Sequence, residues 1–229
     1  MKHVSFVHGL LTAGLCAGLC ANATAQGSWK TLFNGQNLDG WHSYLQDKPG
    51  TAWKIDQGAI MLDPGPGRTA GDLVTQDSYE NFDLEFEWKI SEEGNSGVIF
   101  DIHEDPRFKQ SYLTGPEFQV LDNEKAEDNK QANHLAGSLY DLIAADPKAV
   151  HPVGQWNKSR IRQDHGHLTF WMNGQQVVDT QLWGDAWKKL VAKSKFADWK
   201  EFGQYHKGRI ALQDHGHKVW YRNIRIRTL

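Results

Sequence analysis

The sequence predicts an all-β protein, a sandwich or barrel of antiparallel strands, and three observations carry that expectation. Residues 82–90, FDLEFEWKI, alternate without a break. Phe82, Leu84, Phe86, Trp88 and Ile90 share one side, and Asp83, Glu85, Glu87 and Lys89 the other, the pattern of a half-buried antiparallel strand. Asn173-Gly174 separates two further strand-like runs and is a strong two-residue hairpin signal. Only residues 184–193, GDAWKKLVAK, read as helix, with Asp185 near the start and Trp187, Leu190 and Val191 on one side.

The remaining strands follow from short apolar or alternating runs bounded by turn residues. They are WKID (53–56), AIML (59–62), DLVT (72–75), EFQVL (117–121), WNKSRIR (156–162), LTFWM (168–172), QQVVD (175–179), GRIALQ (208–213) and VWYRNIRIR (219–227). GVIFDIH (97–103) follows the turn EEGNSG and is expected to pair with residues 82–90. Polar stretches at 103–116 and 122–136 read as loops on one rim, of a length that usually carries function.

The N-terminus is set apart from the fold. Lys2, an apolar run GLLTAGLCAGLC and Ala23-x-Ala25 have the form of a secretory signal peptide over 1–25, leaving one domain over 26–229. The implied location is periplasmic or extracellular. Lipoprotein anchoring through Cys20 is disfavoured because Leu19 is a poor neighbour for a lipid-modified cysteine. The run is too short and Gly-rich for a transmembrane segment. Both cysteines, Cys16 and Cys20, lie in the leader, so the rest of the chain has no disulfide and no thiolate nucleophile. The net charge of −3 and the lack of a basic stripe argue against nucleic acid. All ten tryptophans follow the leader. They suit core packing, with one or two left as platforms for sugar rings.

The pentapeptide QDHGH occurs twice, at 163–167 and 213–217. The first copy lies between two strands and reads as a hairpin tip, since Asp and Gly tolerate tight turns. In the second, Ala211, Gln213 and His215 share one strand face opposite Ile210 and Leu212, which suits the surface of a binding groove. A divalent metal held by histidines of both copies is left open, although no sequence feature brings the two together. In residues 115–123, GPEFQVLDN, Glu117 and Gln119 project to one face and Phe118 and Val120 to the core. A β-bulge near Leu121 is expected to bring Asp122 into the same row. Carboxylate, amide and carboxylate in a row suit acid–base chemistry on sugars.

Seven blocks in order resemble a known family: FNGQNLDGW (33–41), NFDLEFEWKISEEGNSGVIF (81–100), GPEFQVLDN (115–123), HLAGSLYDLI (134–143), GQWNKSRI (154–161), FWMNGQQVV (170–178) and GRIALQDHGHKVWYRNIRI (208–226). Together they are similar to the 3-keto-disaccharide hydrolase domain, also described as a 3-keto-glucoside 1,2-lyase/3-keto-2-hydroxy-glucal hydratase. The resemblance implies a concanavalin-like jelly-roll β-sandwich of two antiparallel sheets with one or two short helices. It favours the second QDHGH copy as the working one. Many relatives carry Arg where this chain has Asp101.

The resemblance also implies chemistry. A ketone at C3 of a glycoside acidifies C2–H; loss of that proton and β-elimination release the aglycone, and hydration of the resulting 3-keto-2-hydroxy-glucal completes net hydrolysis. Glu117 or His215 is the expected base, and the other, or Asp122, the acid. Arg222 and His134 are expected at the enolate oxygen, Asn95 and Gln119 at hydroxyls, with Asp101, Tyr140 and Gln213 also facing substrate. The substrate is an oxidised (3-keto) sugar or glycoside, and an upstream sugar oxidoreductase is the implied supplier. Two competing expectations are a conventional glycoside hydrolase of laminarinase-like fold and a non-catalytic carbohydrate-binding module.

Overall fold

A computed structural model of the chain describes residues 1–3 and 27–229, so the leader pattern, Cys16, Cys20 and the cleavage position at Ala25 lie outside the described residues. The strands are β1 (Lys30–Thr31), β2 (Trp41–Ser43), β3 (Trp53–Asp56), β4 (Ala59–Leu62), β5 (Leu73–Thr75), β6 (Phe82–Ile90), β7 (Asn95–Ile102), β8 (Glu117–Leu121), β9 (Asn157–Asp164), β10 (His167–Met172), β11 (Gln175–Gln181), β12 (Arg209–Leu212) and β13 (Val219–Thr228). One α-helix, α1 (Asp185–Val191), interrupts them. None of the described helices is long and apolar enough to cross a membrane.

Two antiparallel sheets form the sandwich. The larger runs β11-β10-β9-β6-β13-β4-β3, with β1 paired to β13; the smaller runs β2-β5-β12-β7-β8. The alternation of β6 holds: its apolar side is buried, and Asp83, Glu85 and Glu87 form ion pairs with Arg160 and Arg227, Arg225, and Arg222 respectively on the outer face. The expected pairing of β6 with the next strand does not occur. The turn after β6 crosses between layers, so β6 lies between β9 and β13 while β7 lies between β12 and β8. The reason is visible in burial: every residue of β7 is buried, so this strand needs cover on both faces.

Edge-to-face phenyl rings join the layers. Phe86 of the large sheet meets Phe118 of the small one at 5.4 Å and 84°, and Phe100 meets Phe170 at 6.0 Å and 85°. Predicted turns appear where expected. Asn173 and Gly174, at φ 50° and 86°, close β10 on β11, and His165 and Gly166, at φ 50° and 82°, close β9 on β10. The outer face of the small sheet is covered only in part, by a second apolar cluster of Tyr44, Val74, Ile99, Ile102 and Ala211. Beside this cluster the same face becomes polar.

Candidate active site

A cleft of about 390 Å³ opens on the outer face of the small sheet. Its floor is built by strand alternation. Phe118 and Val120 enter the interior, which leaves Glu117 and Gln119 of β8 on the outer face, beside Asn95 of β7 and Gln213 and His215 beyond β12. Gly97 on β7 makes room for the acid: a Cβ there would lie 2.0 Å from Glu117 Oε1. Gln213 Nε2 donates to Glu117 Oε2 at 3.3 Å. Burial pushes the Glu117 carboxyl up from 4.5 to about 8; Lys195 opposes the rise, and Asp72 and Asp128 add to it. The side-chain oxygens of Gln119 and Gln213 are buried and accept no hydrogen bond among the described residues.

The second QDHGH copy divides its labour. Asp214 binds the backbone of two loops, accepting from Gly71 N before β5 at 2.7 Å and from Gly216 N of its own loop at 3.0 Å. Its own N–H donates to buried Asp72 at 2.8 Å, and Ser111 Oγ donates to the other Asp72 oxygen. This reciprocal clasp ties His215 to the 3-10 turn at Ser111–Leu113, whose Tyr112 and Leu113 line the cleft. Below it, Ser96 Oγ donates to Gln213 O at 2.7 Å and meets the Tyr221 hydroxyl at 2.8 Å, so the polar floor is anchored through the core.

The far wall comes from three loops. His134 lies between two acids, Nδ1 2.8 Å from Asp128 and Nε2 2.8 Å from Asp141. Asp141 accepts from Lys195 N at 2.7 Å, which holds the segment after α1 against the site. The Tyr140 hydroxyl donates to Asp128 at 2.7 Å and accepts from Lys195 Nζ at 3.0 Å. Asp128, Tyr140 and Lys195 reach the cleft; His134 is a step behind them and positions them.

Four expected site residues do not reach the cleft: His134, held behind its wall instead of facing an enolate oxygen, and Asp122, Arg222 and Asp101, which lie elsewhere. Asp122 caps a turn, accepting from the backbone N–H of Glu93, Glu124 and Lys125. The β7–β8 register is unbroken, so the bulge expected near Leu121 is absent and nothing re-aims Asp122. Arg222 is on the outer face of the large sheet, 2.8 Å from Glu87 and stacked on Trp156. Along β13 the parity that buries Tyr221 turns Arg222 outward. Asp101 is in the interior: the bulge falls here, between Arg209 and Ala211, with Asp101 at φ 54°. The bulge puts Ile102 in the outer cluster with Ile99, and Asp101 meets Gln163 Nε2 of the opposite sheet at 3.2 Å. Burial lifts the Asp101 carboxyl well above the usual range.

The two-copy metal site does not form, because the first copy is a hairpin tip of the large sheet and the second borders the cleft on the small one. Among the described residues no group of three or more His, Cys, Asp or Glu side chains gathers as a metal site would require.

Sequence reasoning missed Asp128, Lys195, Tyr112, Phe196, Trp199 and Phe202, all in the cleft lining. A signal for the last three was present in their spacing of three. Trp199 N donates to Phe196 O at 2.9 Å and Phe202 N to Trp199 O at 3.1 Å, successive tight turns that bring every third side chain to one side.

Residues 28–227 match the 3-keto-alpha-glucoside-1,2-lyase-like domain. A 3-keto-disaccharide hydrolase of Bacteroides thetaiotaomicron is 36% identical in an alignment that covers 87% of this chain and 78% of that protein. A solved protein of Parabacteroides distasonis ATCC 8503, described provisionally as a glycosyl hydrolase, has a TM-score of 0.81 at 30% identity and covers 89% of this chain and 94% of its own. Bacillus licheniformis β-glucanase shares the fold alone, with a TM-score of 0.51 at 10% identity over 90% of this chain and 99% of its own.

Proposed function

This chain belongs to the 3-keto-alpha-glucoside-1,2-lyase-like family, and from that premise we propose that it cleaves 3-keto-glycosides by elimination and rehydration. The single observation that carries the reading is a buried carboxyl, Glu117, sharing one cleft with the imidazole of His215. Burial favours the protonated form of Glu117, which suits it to the acid's part.

The steps balance as follows. The C3 ketone lets the C2–H electron pair move into a C2–C3 enolate while His215 takes the proton. The Lys195 ammonium faces the charge that develops on the C3 oxygen, an electrostatic role of the kind that often dominates such reactions. The C3 carbonyl then re-forms, C1=C2 forms, and the C1–O bond breaks as Glu117 gives its proton to the departing oxygen. Hydration reverses the roles: Glu117 takes a proton from water as its oxygen joins C1, and His215 returns a proton to C2. Both groups end as they began. Gln119, Gln213 and Asn95 supply acceptors and donors to the ring hydroxyls.

The test is turnover of a 3-keto-glucoside in D2O by wild type, Glu117→Gln and His215→Ala. The expected result is solvent deuterium at C2 of the 3-keto-glucose product and a loss of about 10²–10⁴-fold in kcat for each variant. Both folded variants near the wild-type rate would overturn the mechanism. Release of reducing sugar from unoxidised glucans would point instead to conventional hydrolysis.

A further inference from the structure

The cleft has two chemically different halves. One is the polar floor of Asn95, Glu117, Gln119, Gln213 and His215; the other is a wall of Tyr112, Phe196, Trp199 and Phe202. We propose that this wall is the subsite for the departing half of the substrate, and that it selects a leaving group bearing a six-membered ring over a small alcohol. The proposal rests on the elimination reading and adds its leaving-group specificity.

Four observations support it. The cleft volume of about 390 Å³ exceeds what one pyranose fills, so a sugar seated over Glu117 leaves room beyond it. The wall is rigid. Phe196 and Phe202 are buried and stack at 3.8 Å, and Trp199 is braced by Phe196 at 5.1 Å and 68° and by Phe202 at 6.3 Å and 79°. Trp199 and Tyr112 are only partly buried and lie 6.0 Å apart at 34°, so both present ring surface to the cleft. Finally, Lys195 marks the seam between the halves, with Nζ 4.1 Å from the Tyr140 ring and 5.4 Å from the Phe196 ring.

A core function accounts for Phe196 and Phe202, which pack among Trp187 and the sandwich interior. It does not account for an indole and a phenol left half open beside a polar floor. Of the chain's ten tryptophans, Trp199 lines this cleft, and an aromatic face is what the C–H side of a pyranose or an aryl ring packs against. A methyl group reaching the same place covers little of it.

The experiment compares wild type, Trp199→Ala and Trp199→Phe on methyl 3-keto-glucoside, phenyl 3-keto-glucoside and a 3-keto-disaccharide, each variant judged against wild type on the same substrate. The expected result for Trp199→Ala is a fall in kcat/KM about ten-fold larger on the two ring-bearing substrates than on the methyl one, carried by KM, with Trp199→Phe recovering most of it. Equal falls on all three substrates, or an unchanged preference, would overturn the proposal. A fall on the disaccharide alone, or on the phenyl glycoside alone, would narrow the selected ring to sugar or to aryl. If wild type turns over none of the three, the elimination reading fails, and tryptophan fluorescence titration with unoxidised phenyl glucoside still decides the subsite. Binding weakened by Trp199→Ala supports it, and binding unchanged rejects it.

Discussion

The two QDHGH segments have the same five residues and almost nothing else in common. At 163–167 the pentapeptide ends β9, turns in two residues and begins β10; His165 lies in solvent 2.7 Å from its neighbour Asp164, and Arg162 pairs with the same acid at 2.9 Å. At 213–217 it leaves β12 without a returning partner strand, and Asp214 is free to clasp Gly71 while His215 reaches the cleft. The first residue of each copy shows the contrast most clearly. Gln163 donates to Asp101 at 3.2 Å and Gln213 to Glu117 at 3.3 Å, so each amide meets a buried acid. One pair is sealed between the sheets and the other opens on a cleft. Chemical potential is therefore a property of the layer that a side chain faces and not of the pentapeptide.

The most direct way to break the comparison is to exchange its histidines. His165→Ala is expected to leave kcat within about two-fold, while His215→Ala loses about 10²–10⁴-fold, read as initial rates on one 3-keto-glucoside. Similar losses in both would show that the copies act together.

A second contrast sets Glu117→Gln beside Asp101→Asn in melting scans from pH 4 to pH 9. Glu117 rises from 4.5 to about 8 in the fold because burial disfavours its charge. The native state therefore holds the proton more tightly than the unfolded chain, and stability falls as pH climbs through that window. Glu117→Gln removes the titration. Its melting temperature is expected to match wild type near pH 4 and exceed it above pH 8, by on the order of a few kcal/mol of stability. Asp101→Asn gains in the same direction from the ordinary value of 3.8 upward, because burial raises Asp101 too. Only the Glu117 variant should lose turnover. A gain largest at low pH would reverse the sign argument.

The smallest expected effect separates the two aspartates. Asp214→Ala leaves two backbone N–H groups unmatched and should cost about 1–3 kcal/mol in denaturant titrations. Asp164→Ala removes a hairpin-tip ion pair and should stay within about 0.5 kcal/mol. Equal costs would mean that the clasp does not hold the loop.

Much of the fold was legible because the alternation of β6, β9 and β13 and the Asn173-Gly174 turn are local signals. The cleft was half legible. Glu117, Gln119, Asn95, Tyr140, Gln213 and His215 all reach it, since strand parity and block resemblance both marked that face. Asp122 and Asp101 were misplaced for one reason: a bulge moves side chains between faces, and its position depends on pairing with a strand distant in sequence. It lies opposite Ile210 rather than near Leu121. Asp128 and Lys195 were missed because they sit in loops without periodicity, drawn together through His134 and Asp141.

By itself the sequence determined which residues form strands, where the tight turns fall and which side chains of residues 117–121 share a face, because these depend on side-chain alternation and on backbone conformations that neighbouring residues set. Tertiary structure alone decided which acid is buried beside solvent and which beside hydrocarbon, and how three loops converge on one wall. Those outcomes rest on register and layer crossing between segments as far apart as Glu117 and Gln213, and no local pattern encodes that contact.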